Sequence, residues 1–206
     1  MENVKNNMEK YNSYREQTGK FKKAMSLEFY YEAIFISYAI MEDRLISFLD
    51  HIGLVTSKNA KLSKRTSPYV RYMLNVKNVN IKNISTKIDI IKHIINLTPE
   101  ESEKLEERFL QEKGTTKMKG YITELSLFLS EKIDSNEIKV KLEELNEWID
   151  KRNRLIHGLL NKRTDDYFTE EVRIIAENSE DIWRFFDSQL VSKVRKCDLR
   201  KKYKIQ

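Results

Sequence analysis

The stretch NEIKVKLEELNEWIDKRNRLIHGLLNK, residues 136–162, decides how the rest of the chain is read. Ile138, Leu142, Leu145, Ile149, Ile156 and Leu159 recur in it at helical spacing, which predicts a helix over 136–162 with one face packed inward. Arg152 falls within that apolar stripe. A guanidinium stays charged inside a protein and is costly to bury, so an arginine there implies a carboxylate, a helix partner or an anion. Beside the stripe, Asn146, Asp150, Asn153 and His157 follow at intervals of four, three and four and form one polar ridge.

The segments before this helix read as helical scaffold. Asp134 or Ser135 is placed to cap it, and Tyr121 to Ile133 repeats apolar residues through Ile122, Leu125, Phe128 and Leu129. Thr98-Pro99-Glu100-Glu101 has the make-up of a helix start, with an N-cap threonine, proline at the first helical position and acids in the first turn; that helix should end near Gly114. Ser85 or Thr86 is expected to cap a helix through Ile88, Ile91, Ile95 and Leu97. Residues 52–84, rich in Ser, Lys and Asn around Pro68, predict loops with one short helix at most.

Toward the N-terminus, Lys20 to His51 carries the strongest helix signal. Leu27, Ile34, Tyr38, Met41, Leu45, Phe48 and Leu49 lie on one side, and Glu42 lies at the edge of that stripe, able to reach inward or to stay in the exposed Glu42-Asp43-Arg44 cluster. Residues 1–19 read as a polar arm or weak helix that Gly19 separates from this core helix. Toward the C-terminus, Phe168 to Arg195 predicts another core helix through Val172, Ile175, Ile182, Trp183, Phe186, Leu190 and Val194, and residues 196–206 a basic, disordered tail.

Few glycines and prolines, five and two, favour long helices over turn-rich sheet, and 206 residues suit a single all-α domain spanning 1–206. The lone Cys197 excludes an intramolecular disulfide. A polar N-terminus and the absence of a long apolar run predict no membrane span and a cytoplasmic location. The net charge of +6 is concentrated: residues 193–204 hold seven basic residues against Asp198. A second basic zone, Lys58, Lys61, Lys64, Arg65, Arg71, Lys77, Lys82, Lys87 and Lys92, is answered only by Asp89. Either zone suits a phosphate backbone or is plain solvated surface.

The histidines His51, His93 and His157 have no neighbouring His or Cys at metal-ligand spacing, and no glycine-rich phosphate loop or serine nucleophile motif is present, so no metal or cofactor is expected. What remains is Arg152-Asn153-x-x-x-His157. An imidazole can take a proton from a ribose 2′-hydroxyl or give one to a departing 5′-oxygen, and a guanidinium can stabilise charge on the phosphate between them. One histidine cannot easily perform both transfers, whereas a two-fold dimer would supply two. Gly158 leaves open a plainer role for His157 as a helix-end dipole partner.

The motif resembles the Arg-Asn-x-x-x-His signature of the HEPN superfamily, small all-helical proteins that include toxin and phage-defence endoribonucleases. It matches at all three signature positions, and Met41-Glu42-x-x-Leu45 resembles the early core helix on which members carry an acid supporting the motif arginine. The likeness covers about residues 20–195 as architecture and only Glu42, Arg152, Asn153 and His157 residue by residue. It implies an HEPN-like helical bundle that homodimerises through the motif helix, an RNA substrate, an antitoxin or defence partner, and catalytic roles for Arg152, Asn153 and His157. Glu42 and Asp150 would support them, and Lys58, Lys61, Lys64, Arg65, Arg71 and Arg154 would hold RNA. In the branch controlled by a nucleotidyltransferase antitoxin a tyrosine stands two residues after the histidine; here it is Leu159. Other members have lost nuclease activity and serve as binding modules.

Overall fold

The computed structural model describes residues 2–56, 65–66, 83–113, 119–159 and 170–203. It is all-α apart from one two-residue antiparallel ladder, β1 (Val55–Thr56) with β2 (Arg65–Thr66), in which Val55 pairs with Thr66. The helices are α1 (Glu2–Ser26), α2 (Tyr30–His51), α3 (Ile84–Asn96), α4 (Pro99–Lys113), α5 (Tyr121–Lys132), α6 (Ser135–Leu159) and α7 (Glu170–Phe185). A π-helical segment, Phe186–Val191, leads into the short α8 (Ser192–Val194), and α9 (Leu199–Lys202) follows. Among the described residues no helix is long and apolar enough to cross a membrane. The chain falls into two compact units, residues 1–43 with 143–185 and residues 44–142 with 186–206. No composition break marks this subdivision within the expected single domain.

The first unit holds α1, the first part of α2, the second part of α6, and α7. Its centre is Trp183, whose ring meets Tyr14 and Phe21 edge-on at 6.2 and 6.1 Å. That contact explains why Gly19 does not end α1, against expectation. A glycine inside a helix costs about 1 kcal/mol, and docking Tyr14 and the buried Phe21 on either side of it offsets that cost. The break comes instead at Glu28, which takes a left-handed φ of 59°. The Phe29 amide donates to Ala24 O at 2.8 Å and the Glu28 amide to Met25 O at 3.1 Å, a Schellman stop built without glycine. The continuous helix expected from Lys20 to His51 is therefore two helices, and Leu27, placed in the apolar stripe by sequence, is 49 % exposed at the turn. Two further bonds tie this unit together: the buried Ser37 and Ser179 hydroxyls meet at 2.7 Å, and Trp148 Nε1 donates to Ile175 O at 2.8 Å.

In the second unit α5 is the hub, contacting α3, α4, α8 and α9. Ile122, Leu125 and Leu129 form its buried face, and the Tyr121 hydroxyl donates to Ile52 O. The α4 start is the expected one: Thr98 Oγ1 accepts from the Glu101 amide at 3.2 Å while Glu101 Oε2 accepts from the Thr98 amide at 3.0 Å, a capping box. Asp134 caps α6 as expected, accepting from the Asn136 and Glu137 amides. At α3, however, the cap is Asn83, whose Oδ1 accepts from the Ser85 amide, and neither Ser85 nor Thr86 fills that role. The C-terminal segment is described through Tyr203. Lys202 and Tyr203 both bind the Glu124 carboxylate there, and the Tyr203 ring packs on Tyr121.

Candidate functional site

The site belongs to the first unit and is carried by the last three turns of α6. Inside α6, Trp148, Ile149 and Leu155 are buried and fix the roll of the helix. With that roll set, the polar ridge read from sequence faces outward. Asp150, Asn153, Arg154, His157 and Gly158 line one open pocket of about 730 Å³. Asp150, Arg154 and His157 are exposed and Asn153 is half-buried. His157 stands in the last turn, two residues before the helix ends at Leu159.

Arg152 takes a different direction. Its guanidinium carbon lies 4.4 Å from the centroid of the Tyr38 ring and 5.4 Å from that of Phe35, so two rings of α2, three residues apart, receive the cation. Its Nη1 donates to Asn153 Oδ1 at 3.0 Å, and its buried Nε has no hydrogen-bond partner among the described residues. The charge expected to meet a carboxylate, a helix partner or an anion thus has ring faces of a neighbouring helix and an amide oxygen beside it. Glu42 shares this neighbourhood through Tyr38. Burial raises the Tyr38 hydroxyl above its ordinary value, the Glu42 charge raises it further, and the Arg152 charge opposes both.

The geometry therefore brings Asp150, Asn153, Arg154 and His157 to one pocket and links Arg152 to it through Asn153. Arg152 itself is not on the pocket wall. Arg65 lies in β2, but its side chain is outside the described residues, as are Lys58, Lys61, Lys64 and Arg71 entirely. Sequence reasoning missed Phe35. The available signal was its spacing, since Phe35, Tyr38 and Glu42 follow at three and four residues and share a face of α2. Among the described residues no three His, Cys, Asp or Glu side chains gather as metal donors.

Chemically, the pocket offers one imidazole, one guanidinium, one carboxylate and one amide. That set can receive a phosphodiester, with Arg154 meeting its charge and His157 its leaving or attacking oxygen. No protein-family model, curated protein or solved structure matches this chain.

Proposed function

We propose that the protein is an HEPN-type, metal-independent endoribonuclease of a toxin or phage-defence system, acting as a homodimer whose two motif helices face one cleft. The observation that carries this reading is the convergence of Asp150, Asn153, Arg154 and His157 on one open pocket, with Arg152 tethered to Asn153. His157 takes the proton of a ribose 2′-hydroxyl as the 2′-oxygen bonds to phosphorus. The bond from phosphorus to the 5′-oxygen breaks, and His157 of a second copy supplies that oxygen with a proton. The products are a 2′,3′-cyclic phosphate and a 5′-hydroxyl. Arg154 meets the phosphate at the pocket wall, Arg152 adds its charge from behind Asn153, and Glu42 and Asp150 support the set.

The test is incubation of bulk RNA with the parent protein and with His157→Ala, with and without divalent metal, followed by analysis of the ends. Cyclic phosphate ends from the parent and none from the variant are expected. No cleavage by the parent, or equal cleavage by both, overturns the reading.

The direction of Arg152 favours a second reading, a non-catalytic HEPN-like module binding nucleotide, nucleic acid or protein. Its guanidinium is spent on Tyr38 and Phe35 and not on the pocket wall. The two readings separate in a dimer structure: catalysis requires both motifs to open on one cleft, whereas motifs closed off in separate protomers leave only binding.

A further inference from the structure

Phe35 is an anomaly on α2. Ile34 and Met41 of the same helix are fully buried, whereas Phe35 is 46 % exposed. Scattered exposed apolar residues need no explanation, but this ring is placed against a cation next to a pocket. Arg152 lies 5.4 Å from its centroid, Arg152 Nη1 lies 3.0 Å from Asn153 Oδ1, and Asn153 lines the pocket with His157 and Arg154. Arg152 and the wall residue Asn153 thus link a part-exposed aromatic ring to the pocket proposed to hold a phosphodiester.

We propose that Phe35 is a stacking platform for a nucleobase of single-stranded RNA, seating a nucleotide adjacent to the phosphate held at the pocket; this rests on the RNA substrate proposed above. An exposed ring beside fixed cations is the chemistry by which single strands are held, because every unpaired base offers a π face and every link a charge. Duplex RNA keeps its bases inside the helix and cannot present one to Phe35. Arg152 has a defined part in this arrangement: its guanidinium is delocalised and planar, so it holds the ring in place while its charge remains near the strand. The preference created is for unpaired regions, with little choice among bases, since stacking reads no base edge.

The reporter is Phe35→Trp in the His157→Ala background, which binds without cutting. Native Trp148 and Trp183 are 3 % and 2 % exposed, so the new indole is the accessible one. Titration with a single-stranded RNA oligonucleotide should quench it, while the same sequence as a duplex and inorganic polyphosphate should quench it little. Phe35→Ala should weaken single-strand binding by roughly ten- to a hundredfold, and Phe35→Tyr should restore it. Binding of the oligonucleotide with no quench, equal quench by polyphosphate, or unchanged affinity in Phe35→Ala overturns the platform. So does a change of oligomeric state on gel filtration of Phe35→Ala, which would make the ring a contact between copies, and so does a failure of any RNA to bind. Quench by single strands without cleavage by the parent sinks the nuclease reading and supports the platform; cleavage that is indifferent to Phe35 does the reverse.

Discussion

The Arg152 guanidinium rests 4.4 Å from the centre of the Tyr38 ring, a pairing that joins the motif helix α6 to the core helix α2 within one compact unit. Because the arginine is half-buried and its Nε lacks a hydrogen-bond partner among the described residues, the ring face supplies much of what stabilises the cation there. Tyr38→Leu should therefore lower stability by about 1 to 2 kcal/mol. Tyr38→Phe keeps the face and should cost about 0.5 kcal/mol or less. Urea denaturation of the two variants beside the parent checks this, and equal losses for both would place the contribution in the hydroxyl and not in the ring.

Asn153 ties Arg152 to the pocket through a single bond from Nη1 to Oδ1, which makes stability and activity separable at this residue. Asn153→Ala removes the acceptor and should cost about 1 kcal/mol. Asn153→Asp replaces a neutral acceptor by a carboxylate, which strengthens the bond to a guanidinium. The aspartate variant should melt no lower than the parent, and under the proposed nuclease reading its added negative charge on the pocket wall should cut RNA cleavage by roughly tenfold or more. Thermal melts and cleavage rates on the same preparations decide it. A loss of stability together with activity in the aspartate variant would show that Arg152 does not rely on this oxygen.

Much of this fold is legible in the sequence where a local rule acts alone. Thr98 and Glu101 form their capping box, Asp134 caps α6, and the Asp150, Asn153, His157 ridge lines one pocket because helical spacing settles which residues share a face. The misreadings are places where tertiary contact overrules local propensity. Gly19 stays inside α1 because Tyr14 and Phe21 dock on Trp183, a residue far along the chain. The stop at Glu28 carries no glycine or proline to announce it. The spacing already set Arg152 in the apolar stripe, off the polar ridge, but the rings of Tyr38 and Phe35 that receive it lie on another helix, which the motif alone could not show.

Asp187 occupies the π-helical segment, and its carboxylate meets the buried Arg44 at 2.6 Å and Arg195 at 3.5 Å. The extra residue per turn of a π segment shifts the helix face and brings this acid to a cation that is 5 % exposed. Asp187→Ala leaves the Arg44 charge without that partner. Since Asp187 is itself 30 % exposed, the loss should be about 2 to 3 kcal/mol, below that of a fully buried pair. Arg44→Met should cost less than Asp187→Ala, because it removes the buried charge together with its partner's need. Denaturant unfolding of both variants gives the comparison, and the opposite order would mean that Arg44 is stabilised chiefly by other groups.

The C-terminal segment is held by a clasp whose pH limits can be derived from its groups. Lys202 Nζ reaches Glu124 Oε2 at 2.7 Å and the Tyr203 hydroxyl donates to Glu124 Oε1 at 2.9 Å. The Lys202 hydrogen bond holds the Glu124 carboxyl below its ordinary 4.5 against partial desolvation, so its contribution is present above that pH and is lost as pH falls through the lower folded value. Burial first, and then the bond to Glu124, push Tyr203 from 10.0 up to about 12. A neutral phenol is the form the clasp favours, so its contribution is complete below 10 and disappears as pH rises toward 12. The ultraviolet tyrosinate titration of the parent minus that of Tyr203→Phe should show one group near 12, and Glu124→Gln should bring it part of the way back toward 10. At neutral pH the sole cysteine, Cys197, half-buried just before α9, should react faster with a thiol reagent in Glu124→Gln. Gly120→Ala should open the clasp further, because a Cβ there would stand 2.9 Å from the Tyr203 hydroxyl at a backbone φ of +84°. A left-handed conformation costs a non-glycine residue about 1 to 2 kcal/mol, so an unchanged Cys197 rate in both variants would show that the segment is anchored elsewhere.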